Sequence, residues 1–74
     1  MYHTFVWTEW RGGKPYTSVQ ALFESQKEAD LAIREAYPDA VKGKTINNDT
    51  LYRIGEYIVG SVTMEKTAYK QVGI

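Results

Sequence analysis

The sequence predicts a small α+β fold, an antiparallel sheet with one helix packed on one face, and three observations predict it. Tyr2 to Trp10 and Tyr16 to Phe23 are dominated by β-branched, aromatic and other strand-compatible residues. Between them, Arg11-Gly12-Gly13-Lys14-Pro15 is turn chemistry. Ser25-Gln26-Lys27-Glu28 then matches a capping box, heading an amphipathic segment that Pro38 ends.

The two strands form a hairpin whose register follows from its faces. Burial on one side sets Trp10 opposite Tyr16, Trp7 opposite Val19, Phe5 opposite Ala21 and His3 opposite Phe23. A slip by one would bring Trp7 beside Ser18 and scatter apolar groups over both faces. This arrangement needs a five-residue loop from Arg11 to Pro15. The helix, Gln26 to Tyr37, presents Ala29, Ala32, Ile33, Ala36 and Tyr37 on one face, so that Phe5, Trp7, Val19, Ala21 and Phe23 look toward its alanines. Glu28 is expected to reach back to the Ser25 amide, Asp30 and Arg34 to pair on the outer side, and Leu31 to lie off the buried stripe.

Beyond Pro38, Gly43, Asn47-Asn48-Asp49 and Gly55 punctuate short β-prone pieces at Lys44–Ile46, Leu51–Ile54 and Tyr57–Thr63. Met64-Glu65-Lys66 is expected to turn into a last strand, Thr67–Val72. Ile58 and Val62 share a face with Gly60 and are expected to point to the core. The order is β-β-α-β-β with room for further C-terminal strands, in a single domain over residues 1–74.

Composition narrows the function classes. A 74-residue chain buries only about 60% of its unfolded surface, and with no cysteine it has neither disulfide nor thiolate metal site to reinforce a small core. Nine basic residues balance nine acidic ones, which removes the usual electrostatic argument for nucleic-acid binding. No apolar run approaches the roughly 20 residues of a membrane span, and Met1-Tyr2-His3-Thr4 has no leader character. The expectation is a soluble, cytoplasmic protein with no membrane segment. Two Trp, six Tyr and two Phe are too many for so small a core, so some should meet solvent or a partner.

Catalytic and metal constellations are not visible. His3 is the single histidine, and Glu9, the carboxylate on its strand face, sits about 20 Å away along an extended strand. Asn47-Asn48-Asp49 lacks the alternating spacing and distal Glu of a calcium loop and reads as a polar turn. Gly12-Gly13-Lys14 has no phosphate-loop spacing around it. A sheet with one helix has little room for a cavity of about 300 Å³ or more. The expectation is therefore no enzyme, no cofactor and no metal.

What remains is a binding surface. Trp10, Arg11, Lys14 and Tyr16 gather at the hairpin end, and Trp, Tyr and Arg dominate protein–protein hot spots. The leading expectation is a non-catalytic protein-binding module with an unidentified protein partner. By analogy of size and build alone, a phage-type inhibitor that occludes a host protein would need only such a surface. One alternative is a nucleic-acid binder using Trp10, Arg11, Lys14, Tyr16, Lys42 and Lys44, although no stretch matches the aromatic strand motif of RNA-recognition sheets. Another is a homodimer or small scaffold, since open sheet edges favour pairing. The ending Val72-Gly73-Ile74 has the form of a peptide captured by strand addition.

Overall fold

The computed structural model describes residues 2–68 and shows an α+β fold: one five-stranded antiparallel sheet and one helix. The elements are β1 (Tyr2–Arg11), β2 (Lys14–Phe23), α1 (Gln26–Ala36), β3 (Val41–Lys44), β4 (Thr50–Ile54) and β5 (Tyr57–Thr67). The sheet order is β2-β1-β5-β4-β3, with every neighbouring pair antiparallel. The chain leaves β2 at one edge and re-enters as β3 at the other. The segment between them must therefore cross a sheet face, and α1 makes that crossing. No helix among the described residues is long and apolar enough to cross a membrane.

Each turn is set by local chemistry. Gly12 and Gly13 take φ of +60° and +77°, the two positive values of a type I′ turn, so Arg11 faces Lys14 directly. The expected five-residue loop is thus a two-residue one, which moves the register. Phe5 faces Phe23 and Trp7 faces Ala21, whereas Glu9 faces Tyr16 and Trp10 faces Pro15. A break between Thr8 and Glu9 leaves Thr17, Ser18 and Val19 as extra residues on β2. The expected pairs Trp10–Tyr16 and Trp7–Val19 do not form, because the tight turn and this break absorb the slack differently. Gly55, at φ +60°, opens the two-residue turn that brings Ile54 against Tyr57. Asn47-Asn48-Asp49 closes the β3–β4 hairpin as a polar turn, with Asn48 at φ +65°, its amide donating to the Thr45 carbonyl and the Asp49 amide donating to Thr45 Oγ1.

Helix α1 begins as its capping box requires. Ser25 Oγ accepts from the Glu28 amide at 3.1 Å, while the Glu28 carboxylate accepts from the Glu24 amide at 3.2 Å, one residue earlier than expected. The buried stripe is narrower than the alanine pattern implies. Ala29 and Ile33 are buried, but Ala32 and Ala36 face solvent, because the side turned to the sheet runs through residues 26, 29, 30, 33 and 37. Leu31 is 61% exposed.

Trp7, Ala29, Ile33, Ala40, Tyr52, Val59 and Val62 form the core, with Phe5, Ala21, Phe23 and Tyr37 packed against it. Four of the five side chains expected beneath the helix are therefore there, and Val19 is lost to the break in β2. The Trp7 indole lies over Gly60, where a Cβ would fall within the ring. Its aromatic neighbours are Tyr52, edge-on at 5.9 Å between ring centroids, and Tyr37 at 6.2 Å. Val59 is buried where Ile58 was expected, because a bulge between Tyr52 and Arg53 shifts the β4–β5 register by one. The turn expected at Met64–Lys66 is absent: β5 runs straight through to Thr67 beside β1. The expected strand Thr67–Val72 and the Val72-Gly73-Ile74 ending lie mostly or wholly outside the described residues.

Candidate functional site

Strand alternation sorts the sheet into two faces, and the hairpin-end residues divide between them. On β1, Phe5, Trp7, Glu9 and Arg11 share the helix side, and Thr4, Val6, Thr8 and Trp10 share the other. Arg11 faces Lys14 and Glu9 faces Tyr16, so Lys14 and Tyr16 join the helix side. Trp10 does not. Its Nε1 donates to Ser61 Oγ at 3.0 Å on the opposite face, next to the Gln20 Nε2 to Thr8 Oγ1 bond of the same length. The four sequence-selected residues thus separate into a group of three and Trp10 alone.

The group of three forms the centre of an uncovered ledge. Arg11 Nε donates to Glu9 Oε2 at 2.6 Å, and its guanidinium carbon stands 4.1 Å from the centre of the Tyr16 ring. The hydrogen bond to Glu9 is the main reason the guanidinium pKa is raised. Desolvation opposes that rise, and the Glu9 charge and the phenols of Tyr16 and Tyr57 add to it. Tyr57 is therefore within electrostatic reach of Arg11, and Ile54 lies directly opposite Tyr57 in the ladder. Tyr16, Ile54 and Tyr57 are 39%, 40% and 55% exposed, and none belongs to the core that α1 covers. The ledge exists because β1 and β2 run on past the Trp7 row to their glycine turn.

Tyr57 and Ile54 escaped sequence reasoning because only the β1–β5 ladder brings their turn to the same end of the sheet as Gly12-Gly13. The alternation of apolar residues within Tyr57–Thr63 carries no sign of which strand it will meet.

Lys42 and Lys44 are on β3, at the edge of the sheet far from β2, and so lie apart from Arg11 and Lys14. His3 is exposed near the opposite end of β1 from the ledge. Among the described residues, no three His, Asp or Glu side chains are grouped to hold a metal ion.

A second polar centre ties the helix to the sheet. The hydroxyl of fully buried Tyr52 donates to Asp30 Oδ1 at 2.9 Å, Arg34 Nε donates to Asp30 Oδ2 at 3.1 Å, and Lys42 Nζ is 3.4 Å from Oδ1. Asp30 was expected in a simple surface pair with Arg34; the cross-sheet phenol makes it a structural anchor instead. Burial pushes its carboxyl upward, but the bonds from Tyr52 and Arg34 and the charge of Lys42 outweigh that and leave it below the usual carboxylate range. Burial, followed by the bond to Asp30, holds the Tyr52 phenol well above its ordinary value.

No protein-family model matches this sequence, and the comparisons with curated proteins and with solved structures give no match.

Proposed function

We propose that the chain is a non-catalytic protein-binding module that contacts its partner through the ledge of Arg11, Lys14, Tyr16, Ile54 and Tyr57. The observation that carries this reading is the Arg11–Tyr16 stack at 4.1 Å, held by Glu9 and standing outside the core. A stacked guanidinium restrains two long side chains before any partner arrives, which lowers the ordering cost of association. Aromatic and arginine side chains of this kind supply most of the energy in protein–protein contacts. Two glycine turns at the same end leave the ledge unobstructed by side chains at Gly12, Gly13 and Gly55.

The test is affinity capture from host extract with immobilised protein, followed by titration of the recovered partner. The double variant Tyr16→Ala/Tyr57→Ala is expected to keep the fold and weaken binding by at least about 2 kcal/mol. Undiminished affinity in a folded double variant would remove the ledge from consideration, and loss on Trp10→Ala alone would move the contact to the other sheet face. Affinity is expected to change little between low and moderate salt; a steep decline would indicate phosphate contacts and favour nucleic acid.

A further inference from the structure

A cavity of about 230 Å³ opens between the start of α1 and the edge strand β3, lined by Gln26, Lys42, Gly43, Lys44 and Thr50. Alternation puts Lys42 and Lys44 on one side of β3, opposite Tyr52 and Thr50 of β4. Lysines on an edge strand commonly repel foreign strands, a role that asks only that they reach water. Lys44 does more. Its Nζ donates to Oγ1 of the buried Thr50 at 3.0 Å, which fixes the ammonium at the cavity wall. Among the described residues, no ion pair gives Lys44 a carboxylate.

Lys42 brings a second ammonium to the lining. Lys42 Nζ lies 3.4 Å from Asp30, whose oxygens already accept from Arg34 and Tyr52. The Gln26 amide nitrogen is shielded from solvent beside the Tyr52 phenol, whose ionisation it favours, so the donors open to a ligand are the two ammonium groups. Gln26 is also the first residue of the 11-residue helix, so the positive end of the helix dipole borders this space. The nearby Glu28 carboxylate is turned to the Glu24 amide. Two ammonium groups and a helix start therefore line one space, with Asp30, already partnered, beside Lys42.

We infer that this cavity binds a small oxyanion of the phosphate type, with Lys44 and Lys42 as charge partners. The volume admits a phosphate group but falls below the roughly 300–1,000 Å³ of sites for drug-sized ligands. The same chemistry would take free phosphate or a phosphate monoester carried on a peptide. This site uses none of the ledge residues, so either reading can fail without the other.

Inorganic phosphate and a phosphoserine peptide are titrated separately into ¹⁵N-labelled protein, with chloride at matched ionic strength as the blank. The amide signals of Gly43, Lys44 and Thr50 are expected to shift and saturate. Lys44→Gln should weaken that saturation about tenfold, the loss of one charge-assisted contact, while Lys66→Gln leaves it unchanged. Lys42→Gln provides an independent reading should Lys44→Gln disturb the fold. Equal saturation by both probes assigns the phosphate group itself, and tighter saturation by the peptide assigns the monoester. Absence of saturable shifts at tens of millimolar with either probe, or a folded Lys44→Gln that titrates like wild type, overturns the inference.

Discussion

Trp7 and Gly60 are chosen for each other. The indole occupies the volume that any side chain at position 60 would need, so Gly60→Ala is expected to cost about 1–3 kcal/mol, the range for overpacking a core. Urea denaturation measures this, and an unchanged midpoint would show that the ring moves aside freely. Tyr52 and Asp30 make the corresponding polar match. Because Asp30 titrates below its usual range, its stabilisation is complete above the unfolded carboxyl value of about 4 and fades as acid carries the pH through the lower folded value. Because the Tyr52 phenol is raised, the benefit of keeping it neutral is complete below about pH 10 and is lost as the pH climbs further. Tyr52→Phe is expected to lower stability by about 1 kcal/mol at neutral pH and to flatten the alkaline decline. Melting temperature against pH reads both effects, and a Tyr52→Phe curve parallel to wild type would contradict the assignment. The sequence displays Asp30 and Arg34 at helical spacing, but no local pattern reveals that a phenol 22 residues further on will reach the same carboxylate.

At the scale of elements, helix α1 and the hairpins separate what local chemistry decides from what packing decides. Ser25, Glu28 and Pro38 mark the helix ends within the chain itself, and the helix forms where they imply. Which of its alanines is buried depends on how the helix lies across the sheet. Ala29→Asp, at a fully buried site, is expected to unfold the chain, whereas Ala32→Asp should leave it folded with a loss of about 0.5 kcal/mol or less. Circular dichroism and a denaturation curve distinguish these outcomes. A folded Ala29→Asp would mean that the helix packs by another face. The first hairpin offers a stabilising change. Asn-Gly is the preferred pair for a type I′ turn, so Gly12→Asn should raise stability by about 0.5 kcal/mol by narrowing the unfolded ensemble. The register of that hairpin was not legible, because Gly12-Gly13 admits either a tight turn or part of a longer loop, and only the break after Thr8 reconciles the tight turn with inward-facing Phe23 and Ala21.

For the whole molecule, alternation on the first two strands was enough to read which face the helix would cover, and Phe5, Trp7, Ala21 and Phe23 lie there. The strand order was not legible, since β1 and β5 meet only through the return of the chain from the far edge. That ladder assembles the ledge, and it explains why two of the five residues there were missing from the sequence-level site. Tyr16→Ala/Tyr57→Ala is expected to leave thermal stability within about 0.5 kcal/mol of wild type, as befits exposed positions outside the core. A larger loss would assign these rings a structural duty. The interrupted pairing of β2 has a further bearing on self-association. Thr17, Ser18 and Val19 break its rhythm at one margin, while at the other margin β3 offers just four residues, two of them lysines. Among the described residues, neither border gives an incoming strand a long, regular hydrogen-bonding template. These borders favour contact between copies through side chains over continuation of one sheet into the next.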